Sequence, residues 1–213
     1  MDEWEEGEGV TVFDHPLIKH KLALIRDKET KHFLLRELVN ELTYLMLYEA
    51  TRGLKTKKKE VQTPLAKAEV DVLGEKLVII PILRAGLGML DGCLNLIPTA
   101  RVGFVGLYRD EVSLDPVEYY FKTPPMSNSM VLVLDPMLAT GGSVSAAIDG
   151  LKKSGAEEII FMCILASPEG IEKLRENHPD VSIFCAHVDE KLDENGYIMP
   201  GMGDCGDRLY GTK

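Results

Sequence analysis

Met130-Val-Leu-Val-Leu-Asp135-Pro-Met-Leu-Ala-Thr140-Gly-Gly-Ser143 combines the residue types that hold a sugar phosphate. An apolar run ends at a carboxylate, Asp135, and a short loop follows with Thr140, Gly141, Gly142 and Ser143. Glycines let backbone amides come close to a ligand. A helix opening at this loop adds unpaired N–H donors and a positive dipole end, which suit phosphate. Thr140 and Ser143 add hydroxyl donors. Asp135 cannot share that phosphate, because like charges repel. It must face hydrogen-bond donors such as sugar hydroxyls, or a metal. No lysine follows Gly142, so the P-loop pattern G-x-x-x-x-G-K-[ST] is absent. An ordinary strand–turn–helix with a Gly-rich turn has the same spacing and stays open at this point.

Other motifs say less. Gly201-Met-Gly203-Asp-Cys-Gly206 spells G-x-G-x-x-G, but the seven residues after it leave no room for a βαβ unit. Arg84-Ala-Gly86-Leu-Gly88 follows an apolar run, yet Asp91 stands where a third glycine belongs. His15, His20, His32, His178 and His187 are scattered. His15 and His178 each precede a proline and read as loop or cap residues. Cys93, Cys163, Cys185 and Cys205 have no C-x-x-C spacing and read as buried reduced thiols, with no zinc site.

The elements that must position the loop follow from hydrophobic patterning. Leu77–Leu83, Val102–Leu107, Met130–Leu134, Ile159–Leu165 and Val181–Ala186 are short apolar runs rich in Val and Ile. Such runs suit strands buried on both faces of a parallel sheet. Helical stretches lie between most of them, at Leu87–Leu96, Ser143–Ser154 and Pro168–Asn177. The alternation predicts an α/β layered fold. Upstream, Pro16 opens a helix over Leu17–Asp27, and Thr30 is the expected cap of a long second helix stopped by Gly53. Lys55-Thr56-Lys57-Lys58-Lys59 reads as a solvated loop, and Val61–Val72 as short strands around Pro64. Residues 1–12 read as a loose acidic tail on a single domain spanning 1–213. The helical N-terminal third and Tyr197–Lys213 read as additions to the core.

Composition bounds the function. The chain has 213 residues, 45% hydrophobic and 27% charged, which excludes disorder. A net charge of −10 argues against a general nucleic-acid binder but leaves anionic small molecules open, since a site needs only local cations. The longest stretch free of Asp, Glu, Lys and Arg is Pro136–Ile148, 13 residues, whereas a membrane span needs about 20. Met1–Gly9 holds five acidic residues and no basic one, unlike a signal peptide, so the expected location is the cytoplasm.

Leu134-Asp-Pro-Met-Leu-Ala-Thr-Gly-Gly-Ser143 resembles the phosphoribosyl-diphosphate loop of uracil phosphoribosyltransferases. Pro81-Ile-Leu-Arg84-Ala-Gly86-Leu-Gly88-Met is similar to their diphosphate-binding turn, and Tyr108-Arg109-Asp110-Glu111 to their second arginine segment. Gly196-Tyr197-Ile198-Met-Pro200-Gly201-Met-Gly203-Asp204-Cys-Gly206-Asp207 resembles the base-binding hood. His15-Pro-Leu-Ile-Lys-His20-Lys-Leu is similar to the N-terminal helix, and Gly211-Thr-Lys213 to the family's ending. The likeness runs in order over about residues 12–213.

That resemblance implies a type I phosphoribosyltransferase core with a parallel sheet, a helical N-terminal segment and a C-terminal hood. It implies transfer of ribose 5-phosphate from 5-phospho-α-D-ribose 1-diphosphate to uracil, giving UMP and diphosphate, with Mg²⁺ carried mainly by the diphosphate. Asp135, Arg84 and Arg109 would be the catalytic side chains. The phosphoribosyl diphosphate would lie against Arg84, Arg109, Asp135, Pro136, Met137, Leu138, Ala139, Thr140, Gly141, Gly142, Ser143 and Asp204. Uracil would be read by Ile198, Gly203, Asp204 and Cys205, largely through backbone groups. Cys205 departs from the small residue, commonly Ala, expected there, and would bring a thiol near the base. Family members are usually dimers or larger homo-oligomers such as tetramers. Some respond to GTP or pyrimidine nucleotides, although Glu37 and Glu41 on the second helix would repel a triphosphate. The competing class is the pyrimidine attenuation regulators, which share this fold and bind RNA. They would need a basic face, for which Lys55–Lys59 is the one candidate.

Overall fold

The structure is a computed structural model and describes residues 9–109 and 116–212. The chain begins with β1 (Val10–Val12), α1 (Pro16–Arg26), α2 (His32–Ala50), β2 (Thr56–Gln62) and β3 (Lys67–Leu73). The centre follows as β4 (Lys76–Leu83), α3 (Leu87–Leu96), β5 (Arg101–Val102), β6 (Phe104–Arg109) and β7 (Pro116–Lys122). Then come β8 (Ser129–Leu134), β9 (Met137–Leu138), α4 (Gly142–Lys153), β10 (Glu158–Ala166) and α5 (Pro168–Asn177). The chain closes with β11 (Ser182–Val188), β12 (Lys191–Leu192), β13 (Ile198–Met199) and α6 (Cys205–Tyr210).

The main sheet runs β1-β11-β10-β8-β4-β6-β7. Its pairs are parallel except β6 with β7. Alternate residues of each central strand feed opposite cores, as a period of two requires. Val78, Ile80, Val131, Val133 and Phe161 pack with α4 and α5. Leu77, Ile79, Leu132 and Met162 pack with α1, α2 and α3. Both faces are thus covered, which is why the strands read as continuous apolar runs.

Strand order locates the site. From β4 the chain moves outward to β6 and β7, then returns to β8 on the other side of β4 and continues to β10 and β11. The order reverses between β4 and β8. In open α/β sheets the crevice outside the carboxyl ends of such strands is where ligands bind.

Several expectations are corrected. Val10–Val12, expected within the loose tail, forms β1 and pairs in parallel with β11, Val10 opposite Ile183. Thr30 does not cap α2. Its hydroxyl donates to the Leu24 carbonyl at 2.6 Å, serving the exposed end of α1, and Lys31 takes the cap position without a side-chain bond. Lys55–Lys59 is solvated but is strand, not loop, from Thr56 onward. Its partners come from three places: Lys58 meets Asp71 of β3 at 3.0 Å, while Lys55 lies 3.6 Å from Glu75, between β3 and β4, and 3.4 Å from Glu158 of β10. The strands around Pro64 form one hairpin, with the Leu65 and Ala66 amides donating to the Thr63 hydroxyl. His15 caps α1, its Nδ1 accepting from the Leu17 amide at 3.2 Å, and His178 stands at the C-cap of α5. All four cysteines are free and buried. Among the described residues no helix is long and apolar enough to cross a membrane.

Candidate active site

β4 and β8 are hydrogen-bonded neighbours, with Pro81 opposite Leu134, so Arg84 and Asp135 emerge side by side. The turn after β4 is pressed against the β8 end. A Cβ on Gly86 would lie 2.4 Å from the Leu134 carbonyl oxygen, so only glycine fits. The Leu83–Arg84 and Met199–Pro200 peptide bonds are cis.

Asp135 is half-buried, and its carboxylate accepts the Met137 amide at 3.2 Å. Burial pushes this carboxyl up to about 7, and the Met137 N–H pulls it partly back. Pro136 turns its carbonyl onto the amides of Ile164 and Leu165, both at 3.0 Å. Met137 and Leu138 form β9 against β10, and the Leu138 side chain is fully buried. Ser167, the buried N-cap of α5, buttresses this stretch. Its amide donates to Leu138 at 2.9 Å, and its hydroxyl donates to the Ala139 carbonyl at 2.6 Å. The carbonyls of Pro136, Leu138 and Ala139 are therefore engaged in holding the loop. Thr140 to Ser143 form its outward part, with Gly141 at the cap of α4 and the Gly142–Val144 amides in its first turn. First-turn amides have no partner within a helix, so they are the donors that fit an anion.

The hood returns to the same crevice. β12 and β13 form a short antiparallel ladder, with Leu192 opposite Ile198. The Asp193 carboxylate accepts from the Asn195 and Tyr197 amides and closes the turn between them. Asp204 caps α6, accepting the Asp207 amide at 2.9 Å. Asp207, which the sequence reading does not single out, pairs with Arg84 at 3.2 Å and so ties the hood to the β4 turn. Tyr197, Gly203, Asp204, Asp207 and Arg208 line an open cleft of about 460 Å³. The larger cleft, about 880 Å³ around Ile171 and Arg175, touches none of the expected site residues.

Cys205 lies where the loop and hood meet. Burial, then the nearby charges of Asp135 and Asp204, push its thiol well above the ordinary range. The expected thiol is thus present at the crevice but sealed, and a protonated buried thiol reacts poorly. Arg109 ends β6, next to β4; its side chain and the neighbouring Asp110 and Glu111 lie outside the described residues.

Sequence reasoning found the loop and the hood because each is continuous in the chain. It missed Ser167 and Asp207, whose roles arise only when α5 and α6 dock. The Ser-Pro pair at Ser167 is an ordinary helix-start signal and could have found the first.

Comparison with known proteins bears on the family and the fold. The family model for uracil phosphoribosyltransferase matches residues 12–212. A uracil phosphoribosyltransferase of Symbiobacterium thermophilum is 58% identical over 206 residues, covering 96% of this chain and 99% of the relative. One from Bacillus cereus is 58% identical over 204 residues, covering 95% of this chain and 98% of the relative. Among solved structures, a protein of Aquifex aeolicus superposes with a TM-score of 0.92 at 40% identity, covering 96% of this chain and 99% of that one. A hypoxanthine phosphoribosyltransferase from Staphylococcus aureus shares the fold at 12% identity and a TM-score of 0.50, covering 74% and 76%. With loop, turn and hood gathered at one switch point and a family match that runs from β1 to the last described residue, this chain belongs to the uracil phosphoribosyltransferase family.

Proposed function

We propose that the crevice between the Asp135–Ser143 loop and the Ile198–Cys205 hood transfers ribose 5-phosphate from 5-phospho-α-D-ribose 1-diphosphate to N1 of uracil, releasing UMP and diphosphate. The observation that carries this reading is that the turn after β4 and the Asp135 end of β8 emerge side by side at the sheet's topological switch point, with the Gly/Pro-rich hood tied to that turn through Asp207 and Arg84. Thr140–Ser143 and the α4 amides hold the 5-phosphate. Asp135, beside them, faces the ribose hydroxyls and the cationic sugar that develops as the C1–O bond breaks. Arg84 and Arg109 receive the negative charge gathering on the departing diphosphate. Arg84 is more than half exposed despite its Asp207 partner, so its guanidinium is within reach of a ligand in the crevice.

Mg²⁺ fits the donor set as a substrate-borne ion. A hard cation that keeps water commonly binds through one or two carboxylates plus phosphate oxygens. Asp135 and Asp204 are the carboxylates that would meet it. When bound, the ion supplies Lewis-acid stabilisation of the diphosphate.

Uracil presents alternating carbonyl and N–H groups, which backbone groups of Ile198, Gly203 and Cys205 mirror without charge. Cytosine would set donor against donor, and unpaired buried groups are costly. The reaction belongs to the cytoplasm, where four reduced thiols are at home. The assembly is a homo-oligomer. The decisive experiment is a panel of uracil, cytosine, orotate, hypoxanthine and adenine with phosphoribosyl diphosphate and Mg²⁺. UMP and diphosphate should form from uracil alone. Nucleotide formed from a purine but not uracil would overturn the reading.

A further inference from the structure

Two charged residues outside the crevice grip the hood. Arg26 is the last residue of α1, and Asp189 directly follows β11. The guanidinium spans both carboxylate oxygens, Nη1 to Oδ2 at 2.9 Å and Nη2 to Oδ1 at 2.5 Å. The pair does not stand alone. Arg26 Nη1 also donates to the Gly201 carbonyl at 2.8 Å, and the Gly201 amide donates to Asp189 Oδ2 at 3.0 Å. Both polar groups of one hood residue are held by the two halves of one ion pair.

The anchor is buried and tied to the sheet. The Asp189 side chain is only 2% exposed, and its amide donates to the Ala166 carbonyl at the end of β10 at 2.8 Å. Arg208 adds a parallel tie. It donates to the Met202 carbonyl and to Ile25 at 2.8 Å, and to Asp27 at 2.7 Å, joining the next hood residue to the end of α1. Gly201 and Gly203 leave the turn little stiffness of its own on either side of Met202. Charge-assisted bonds on a bidentate fork have both strength and direction.

We propose that Arg26 and Asp189 are positioning residues for the pyrimidine base: they fix the Gly201 peptide and thereby set the edge that Ile198 and Gly203 offer to uracil. This rests on the reading of the hood as the base site. The ion pair touches no substrate, so its loss should act on base binding and base choice, not on phosphoribosyl diphosphate. Lysine at position 26 keeps the charge but not the planar fork that spans both Asp189 oxygens while donating to Gly201, so it cannot hold the two groups in the same fixed geometry.

The test is steady-state kinetics of Arg26→Lys, Asp189→Asn and the double variant Arg26→Gln with Asp189→Asn, with thermal melting of each. Misplacing a reactant by about 1 Å can cost about 10²-fold in rate, so a rise of at least about 10-fold in KM for uracil is expected in Arg26→Lys. KM for phosphoribosyl diphosphate should stay within about 3-fold, and preference for uracil over cytosine should fall. The double variant removes both charges together and should recover part of the uracil KM. An unchanged uracil KM in folded Arg26→Lys overturns the proposal. So does a parallel rise in both KM values, or failure of Arg26→Lys to fold, because the pair would then hold the chain rather than the base edge. If Asp189→Asn alone fails to fold, Arg26→Lys decides. Gly203→Ala separates the two levels of the argument. If it raises uracil KM while Arg26→Lys does not, the clamp is wrong and the hood stands; if neither does, the hood reading itself has failed.

Discussion

Asp135 carries the strongest conflict between stability and chemistry. Its carboxyl is pushed up to about 7 by burial, above its unfolded value near 3.8. The folded chain therefore holds the extra proton between these values. The stabilisation present below the unfolded value is lost as pH rises through about 7. Asparagine keeps the acceptor for the Met137 amide and removes the buried charge. We expect Asp135→Asn to melt higher than the parent at pH 8, by less at pH 5, and similarly only below about pH 3.8, where the carboxyl is protonated in both the folded and the unfolded parent. It should also lose about 10²-fold or more in kcat/KM, together with the acid limb near neutrality that the ionised carboxylate imposes. Near-normal kinetics in the folded variant would remove Asp135 from the mechanism. Arg109 can be tested against its own expected role. UMP retains the 5-phosphate and lacks the diphosphate, so Arg109→Ala should weaken phosphoribosyl diphosphate by about 1.5–3 kcal/mol and leave UMP nearly unchanged. Equal losses by calorimetry would contradict the diphosphate contact. At this scale the sequence was informative about Asp135, since a carboxylate closing an apolar run before a glycine pair is a local pattern. It was silent on Asp189 and Arg26, because 163 positions of chain separate them and neither belongs to a motif.

At the scale of elements, the buried strands were legible and the peripheral ones were not. β4, β8 and β10 are apolar on both faces, so composition alone marks them. β1 has three residues, and its parallel pairing is set by β11, a partner far along the chain. β7 mixes Glu, Tyr and Lys on an exposed edge, and no periodicity distinguishes it from loop. The hood is legible as a Gly/Pro segment but not as a shape, because its form depends on Asp189, Arg26 and Arg208. Within it, side chain and backbone separate cleanly. Met202 is 4% exposed and belongs to the core under α1 and α2, whereas Gly203 is exposed with φ +75° and lines the cleft. A side chain at Gly203 is strained whatever the space around it. Met202→Leu conserves volume and should alter stability by less than about 1.5 kcal/mol with base choice intact. Gly203→Ala should raise uracil KM and narrow the discrimination against cytosine, which can reach about 10⁴-fold in a site built for hydrogen bonding. Relaxed selectivity in Met202→Leu with a silent Gly203→Ala would make a side chain the reader.

On the scale of the whole molecule, the β2–β3 hairpin stands apart from the two cores. It is a separate two-stranded sheet, and none of its residues is buried. A lone hairpin is marginal in water. Its ion pairs, Lys58 with Asp71 and Lys67 with Glu60, are exposed on both sides, and such pairs contribute about 0–1 kcal/mol. Acidic partners also stand beside two lysines of the one basic run that an RNA-binding role would need, Asp71 beside Lys58 and Glu75 and Glu158 beside Lys55. Apolar residues are left uncovered, with Leu65 at the tip 96% exposed and Leu73 at the base 46% exposed. Burying a leucine is worth roughly 1.5–3 kcal/mol, enough to order such an arm if a second copy of the chain covers it. In an oligomer, the hairpin amides should exchange slowly at high protein concentration and quickly on dilution, while β4 and β8 stay protected throughout. Leu65→Asp should shift the sedimenting mass toward the monomer without lowering the melting temperature of the dilute protein, because the tip touches neither core. Concentration-independent exchange in the arm, with an unchanged mass for Leu65→Asp, would show that the hairpin is no part of the assembly.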